Sequence, residues 1–252
     1  MFIPLRAHVP TDRRAWANCA ILLATVVLSF AGFRDTDFAY TMMGFEPVPT
    51  EWPEELEKLE PYMVREPPKF RQTLPVPVSS VTSAFLHQGL GHLVGNMLFL
   101  WVFGNAVNYK LGHLKYLALY VLSALGSGAA HHVFCGGPLI GASGAIYGVV
   151  GAFLVFFPRN DVTAIWFYAI FWLKTFYISS VWVILYWVAW DVLCIIWVGT
   201  EGPVAYWAHV GGFAAGFAIA LLLAATGWVK PKEDERTLLQ VFGIRREARN
   251  VY

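Results

Sequence analysis

The chain carries little charge for its size. Only 14% of its 252 residues are Asp, Glu, Lys or Arg, whereas 57% are hydrophobic. This composition excludes an ordinary soluble domain and is typical of a protein with several membrane spans. The formal net charge of +1, with no basic cluster between aromatic residues, gives no indication of nucleic-acid binding.

Cysteine is also scarce. Cys19, Cys135 and Cys194 form neither a disulfide framework nor a pair at metal-ligand spacing. We interpret them as apolar filling residues, and the sequence predicts neither a metal nor another cofactor. It contains no internal repeat and no low-complexity tract.

Long apolar runs, separated by charged and turn residues, dominate the sequence. A run of about 18 or more apolar residues is long enough to cross a bilayer. The aromatic stretch at residues 163–172 is too short for this and is expected to lie at the membrane interface. The sequence therefore predicts an all-α membrane protein with six transmembrane helices, at residues 16–33, 85–107, 116–134, 140–157, 177–198 and 204–229.

Positive charges are distributed unevenly among the segments outside the predicted spans. Tail 1–15, the segments after spans two and four, and tail 230–252 all carry Lys or Arg, whereas loop 34–80 is mainly acidic. This bias predicts that both termini are cytosolic and that the long loop lies outside. The membrane domain then comprises residues 16–229, and residues 49–62 of the outer loop are expected to form a short surface helix.

Polar side chains occur at one depth in three of the predicted spans. Such groups are costly in a bilayer unless they are paired or hydrated. In the predicted orientation, spans two, four and six run inwards from the outer face, and each carries its polar residues in its first turns. This convergence indicates a site near the outer face. The residues are His87, His92 and Asn96 in span two, Ser143 and Tyr147 in span four, and His209 in span six.

Two stripes of small residues indicate which spans pack together. Small residues recur at every fourth position in both helices, which allows two helix backbones to approach closely. Packing the stripes against each other would bring Ser143 within reach of His209. The stripes are Gly144, Gly148 and Ala152 in span four, and Ala208, Gly212, Gly216, Ala220 and Ala224 in span six.

A serine hydroxyl becomes an effective nucleophile only when a base takes its proton. His209, the only histidine of span six, can serve as that base in its neutral form. Attack on a peptide carbonyl creates an oxyanion, for which the Asn96 amide, the Ser143 backbone N–H and His92 are candidate donors. Tyr147, one turn below Ser143, is placed to stack on the imidazole. No carboxylate is evident beside His209, so a dyad is predicted rather than a triad.

Three motifs carry a resemblance to a known family. They are HQGLGHLVGN at 87–96, GASGAIYG at 141–148 and AHVGGFAAG at 208–216. In their order and spacing they are similar to those of rhomboid intramembrane serine proteases, and the similarity covers about residues 81–227. The long loop 34–80 departs from the family pattern, because no Trp-Arg pair is recognisable in it.

The resemblance implies a six-helix bundle that hydrolyses peptide bonds in or beside the transmembrane segments of membrane proteins. It also implies a role for seven residues of this chain. Ser143 would be the nucleophile and His209 the base, Asn96 and His92 would stabilise the oxyanion, Tyr147 would pack on the histidine ring, and Gly212 and Gly216 would hold span six against span four.

Other interpretations of the same residues stay open. Ser143 alone is explained more simply by packing, His209 by a proton relay, and His92 and Asn96 by hydrogen bonds between helices. Asp191 lies inside the apolar part of span five. We interpret it as a structural hydrogen-bonding group. The alternatives are a hydrogen bond into the cavity, a carboxyl group protonated by desolvation, and the shaping of a gap for a substrate helix.

Two functional hypotheses follow. The first is an intramembrane serine endopeptidase that acts on transmembrane proteins and contacts membrane lipids. Compact length and the lack of a transit peptide indicate a bacterial plasma membrane, with the active site open to the outer or periplasmic side. The second is a catalytically silent rhomboid-like protein that binds client helices. A transporter or proton channel is disfavoured, because the polar residues lie on one side of the membrane only.

Overall fold

The computed structural model describes residues 2–9, 14–48, 69–168, 172–200, 202, 204–232 and 235–244. The surface helix expected at 49–62 lies outside these residues. In chain order the elements are β1 (Phe2–Ala7), α1 (Trp16–Arg34), α2 (Thr36–Met43), β2 (Phe45–Pro47), β3 (Phe70–Gln72), α3 (Val76–Thr82), α4 (Leu90–Leu111), α5 (His113–Phe134), α6 (Ser143–Phe156), β4 (Asp161–Tyr168), β5 (Trp172–Ser179), α7 (Ser180–Val198), α8 (Tyr206–Thr226) and α9 (Leu238–Val241).

Five of these helices are long and apolar enough to cross a membrane: α1, α4, α5, α7 and α8. Helix α6 has 14 residues, which corresponds to a length of about 21 Å at about 1.5 Å per residue. It is therefore shorter than the hydrocarbon core of a bilayer, which is about 30 Å thick. The count of six spans and the cytosolic position of both termini stay predictions.

Four helices begin later than the sequence predicts: α8 at Tyr206, two residues late, and α4, α6 and α7 by three to five residues. Helix α4 starts at Leu90 because the chain is still extended at Gly89, where φ is −179°. Helix α6 starts at Ser143 because Gly141 has a φ of 124°, which is incompatible with a helix. Helix α7 starts at Ser180 because the residues before it belong to strand β5.

Two small sheets correct the expectation of an all-α chain. Strands β4 and β5 form an antiparallel hairpin, β1 pairs with the other edge of β4, and β2 pairs with β3. The stretch at 163–172, which was expected to be an interfacial segment, belongs to this hairpin where it is described. Its β-branched and aromatic residues favour strands. The N-terminal tail likewise contains a strand.

Helix α6 lies at the centre of the bundle. Twelve of its residues are buried, including Val149 and Phe153, which are fully inaccessible. A helix that is apolar on every side is typical of a buried position. Helix α8 makes its most extensive packing against α6 and then against α5. Ser143, the first residue of α6, is therefore held on a helix that is buried along most of its length.

Helices α6 and α8 touch through their backbones. A Cβ atom placed on Gly212 would lie 1.9 Å from the carbonyl oxygen of Gly144, and one placed on Gly216 would lie 2.0 Å from that of Gly148. Even a methyl group has no room at either position. The stripes of small residues in spans four and six therefore face each other.

A buried amide anchors α4 to its neighbours at a π-helical turn. This turn spans Leu100–Gly104, and the Asn18 side chain of α1 donates a hydrogen bond of 3.0 Å to the Leu100 carbonyl. Tyr116 of α5 donates to the Asn18 side-chain oxygen at 2.5 Å. The two bonds tie this turn to α1 and α5, and the same helix carries His92 and Asn96.

The backbone contact predicts a strong effect of Gly216→Ala. Because the added methyl group would overlap the Gly148 carbonyl, α8 must move away from α6, and we expect a loss of about 1–3 kcal/mol in the free energy of unfolding. The measurement is denaturant-induced unfolding in detergent.

Gly95→Ala is the matched control, since a Cβ atom at Gly95 would meet nothing within 4 Å. It is expected to leave stability unchanged or raise it by up to about 1 kcal/mol, because alanine favours a helix. Equal losses in the two variants would contradict the assigned role of the α6–α8 contact.

Candidate active site

Ser143 and His209 meet where α6 and α8 begin. The Ser143 Oγ lies 2.8 Å from Nε2 of His209, which is the fourth residue of α8. Both residues stand in the first turn of their helices, so the backbone contact further along brings the two side chains to the same level. The structure thus places the predicted nucleophile and the predicted base in hydrogen-bond contact.

The other ring nitrogen of His209 has a partner that the sequence reasoning left out. Its Nδ1 lies 2.9 Å from Oδ2 of Asp191 in α7, and the side chains are only 10% and 5% exposed. The position of Asp191 inside an apolar span was the available signal. The rotation of α7 about its axis, which turns this carboxylate towards His209, could not be read from the sequence.

Tyr147 covers one face of the His209 ring. The two ring centroids are 4.3 Å apart, and the planes are inclined by only 9°. Offset parallel contacts of this kind hold a ring in place while leaving its edge atoms free. The Tyr147 side chain also interacts with Asp191. His209 is therefore held by one residue from α6 and one from α7.

Asn96 and His92 lie on the neighbouring helix α4 and face the same space. Asn96 is buried, and its side-chain nitrogen has no hydrogen-bond partner among the described residues. His92 reaches towards the loop before α6, since a Cβ atom on Gly141 would lie 2.9 Å from its Cε1 and 3.7 Å from the Ser143 Oγ. Two potential donors thus accompany Ser143.

His87 supports His92 from behind. The two imidazole rings are 4.9 Å apart in an edge-to-face arrangement, and Nδ1 of His87 lies 2.9 Å from the Ser29 Oγ of α1. His87 is buried, and it contacts the site through the His92 ring.

Two cavities meet at Ser143 and His209. One has a volume of about 410 Å³ and lies between α4 and α7, where Phe99, Trp187 and Trp190 contribute to its wall. The other, of about 310 Å³, is bounded by Gln88 and by the loop residues before α6 and α8. The pair can therefore be approached from two directions.

Metal ligands are not gathered at this site. In the parts of the chain that the structure describes, no group of three or more His, Cys, Asp or Glu side chains is placed to hold a metal ion. The expectation that no cofactor is needed stays a prediction, and the arrangement of the protein's own side chains resembles that of a hydrolase with an activated serine.

Comparison with known families identifies the family of this chain. The family model described as Rhomboid domain matches residues 77–226, which include α4, α6, α7 and α8. The chain belongs to the rhomboid family. Together with the five long apolar helices, this makes the rhomboid chain an integral, multi-pass membrane protein.

Several named rhomboid proteins are similar to this chain over part of its length. The rhomboid protease GlpG of Klebsiella pneumoniae is 33% identical over 139 residues, which are 55% of this chain and 46% of that protein. The mitochondrial Rhomboid protein 1 of Saccharomyces cerevisiae is 38% identical over 93 residues, or 34% and 27% of the two chains. The rhomboid protease GluP of Bacillus subtilis is 40% identical over 74 residues, or 29% and 15%. The rhomboid chain spans about half the length of the relatives it matches, or less.

Proposed function

We propose that this protein is an intramembrane serine endopeptidase that hydrolyses peptide bonds in or next to transmembrane segments. The observation that carries the proposal is the 2.8 Å contact between the Ser143 Oγ and Nε2 of His209. The names of the relatives, two of which are called rhomboid proteases, support it further.

The chemistry requires His209 to accept a proton and give it back twice, once as the acyl-enzyme forms and once as it is hydrolysed. As the Ser143 oxygen bonds to the substrate carbonyl carbon, its proton moves to Nε2 of His209. His209 then gives this proton to the amide nitrogen as the C–N bond breaks, which releases the amine product. A water molecule next attacks the acyl-enzyme with the same histidine as base, and the serine leaves with its proton restored.

The negative charge on the former carbonyl oxygen needs fixed donors. We assign this role to the Asn96 side-chain amide, helped by His92 and by the backbone N–H of Ser143. Asn96 suits the role because its amide is buried, has no partner among the described residues and lines the same cavity as Ser143. The Ser143 N–H is available because the first N–H groups of a helix have no partner within it.

We assign the two cavities to different reactants. The larger one, between α4 and α7, has apolar walls at Phe99, Trp187 and Trp190, which fit the side chains of a transmembrane substrate. The smaller one includes Gln88, His92 and His131, and these polar side chains suit the water that hydrolysis needs. Membrane lipids surround the remaining apolar surface in this proposal.

The topology follows from the positive charges. We infer that both termini are cytosolic and that Ser143 opens towards the outer or periplasmic side of a bacterial plasma membrane. The support is the placement of Arg and Lys in the two tails and of acidic residues in the long loop.

Covalent labelling tests the serine and its base. We expect the wild-type protein in detergent to react with a fluorophosphonate at Ser143, and Ser143→Ala to abolish labelling. His209→Ala should slow it by about 10³-fold or more, because among the described residues His209 is the base in hydrogen-bond contact with the Ser143 Oγ.

Ser123→Ala is the matched control, since this buried hydroxyl has no hydrogen-bond partner among the described residues. It should label like the wild type. If folded wild-type protein stays unlabelled and a transmembrane reporter stays uncut, the protease proposal is wrong. Binding of client helices without cleavage would then be the better explanation.

The oxyanion assignment predicts the kinetics of Asn96→Ala. Removal of one such donor should lower the turnover of a single-span reporter substrate by about 10²–10³-fold with little change in its binding. Val94→Ala, at an exposed position of the same helix, is the control and should retain activity. A loss confined to KM, with unchanged kcat, would contradict the assignment.

Accessibility to a membrane-impermeant maleimide tests the topology. In a background with Cys19, Cys135 and Cys194 replaced by alanine, Asp37→Cys should be labelled in intact cells. Lys230→Cys should react only after the membrane is permeabilised. The reverse pattern would overturn the inferred orientation.

A further inference from the structure

Asp191 is a carboxylate in the interior of a membrane helix. Its side chain is 5% exposed, and its neighbours on α7 are almost all apolar or aromatic. An ionisable group in such a place is expensive to keep and is retained when it has a function and a partner. Its partner here is Nδ1 of His209, 2.9 Å away.

The contact lies on the ring nitrogen opposite to the one that faces Ser143. Nε2 of His209 is 2.8 Å from the serine oxygen, and Nδ1 is 2.9 Å from the carboxylate. Ser143, His209 and Asp191 thus form a continuous hydrogen-bonded line across α6, α8 and α7. Nucleophile, base and orienting carboxylate follow one another in this order in hydrolases with a catalytic triad.

We propose that Asp191 is a positioning residue that holds His209 in the tautomer able to accept the Ser143 proton. The inference rests on the proposed protease function and replaces the predicted dyad by a Ser143–His209–Asp191 triad. Nδ1 of His209 keeps its proton throughout and donates it to Asp191. The reacting proton moves only between Ser143, Nε2 and the substrate amine.

The tautomer decides whether His209 can be a base. A neutral imidazole carries one proton, and a carboxylate beside Nδ1 keeps that proton on Nδ1. Nε2 then has a free lone pair directed at the serine hydroxyl. With a protonated Asp191 the arrangement would reverse, and Nε2 would donate to Ser143 and could not accept its proton.

Tyr147 is a second neighbour of the Asp191 carboxylate. Its side chain interacts with Asp191 while its ring stacks on His209. A phenol hydroxyl and the Nδ1–H group both act as donors, and an ionised carboxylate only accepts. Two neighbours that can donate hydrogen bonds offset part of the cost of burying a charged carboxylate. During the reaction, the same charge stabilises the imidazolium that His209 becomes.

The test is the pH dependence of fluorophosphonate labelling in Asp191→Asn, which preserves the shape of the side chain. In the wild type, the rate constant should rise with pH as His209 loses a proton. We expect the substitution to lower the maximal rate constant by up to about 10²-fold. The acid limb of its profile should also lie at lower pH, because the charge that favours the imidazolium is gone.

Other titratable groups near His209 are unchanged in this variant. They are His92 of α4, Tyr147 of α6, Cys194 of α7 and Tyr206 of α8. Asp191→Glu, which restores a carboxylate, should return the limb towards its wild-type position. Cys194→Ala removes a buried neighbour one turn away on α7 and should leave the limb where it is.

The outcomes separate this inference from the proposed function. Labelled wild type together with an Asp191→Asn profile of unchanged position means that Asp191 is not a positioning residue, although the protease proposal stands. Unlabelled but folded wild type overturns both.

A spectroscopic measurement covers the case in which Asp191→Asn fails to fold. In wild-type protein labelled with ¹⁵N-histidine, the His209 signal, identified by its loss in His209→Gln, should be that of the Nδ1–H tautomer at neutral or higher pH. An Nε2–H tautomer would overturn the inference.

Discussion

The packing of backbone against backbone between α6 and α8 sets the geometry on which the rest of the site depends. Carbonyl oxygens of Gly144 and Gly148 occupy the space where side chains would stand on Gly212 and Gly216. Two helices in such contact have one separation and one relative register, because sliding by a residue would bring larger groups together. Ser143 and His209 are each in the first turn of these helices, so their distance is a consequence of that register.

Helix α7 is held differently. It packs less extensively on α8 than α6 does, and large apolar side chains such as Trp182, Trp190 and Trp197 are exposed on it. In a bilayer, lipid covers such side chains as well as another helix would, so apolar contact alone does little to fix the helix. The bond from Asp191 to His209 therefore links the least constrained helix around the site to the most constrained pair.

Much of the site was predictable because the membrane limits where polar groups occur. Once an orientation was chosen, depth alone grouped Ser143, His209, Asn96 and His92, and the glycine stripes identified the two helices that touch. Asp191 was different, since depth placed it in the membrane without saying which way it faces. The rotation of α7 follows from contacts with several helices at once. Because the helix is apolar on almost every side, its sequence pattern does not predict which side faces them.

The small sheets and the length of α6 were harder to foresee for another reason. An aromatic, β-branched run near a membrane fits an interfacial helix as well as a strand, and only the partner decides between them. Here the partner of β4 on one side is β1, which lies more than 150 residues earlier in the chain. The first turn predicted for span four is not helical because of Gly141, whose backbone conformation depends on the loop around it.

The pairing of β1 with β4 also imposes an order on how the chain folds during its synthesis. Phe2 pairs with Trp166 and Ala7 with Val162, so strand β1 acquires its partner only after α1, α4, α5 and α6 have been synthesised. Contacts between such distant parts of a chain form slowly. Strand β1 therefore completes its structure late, and its pairing with β4 requires that the central helix has already been translated.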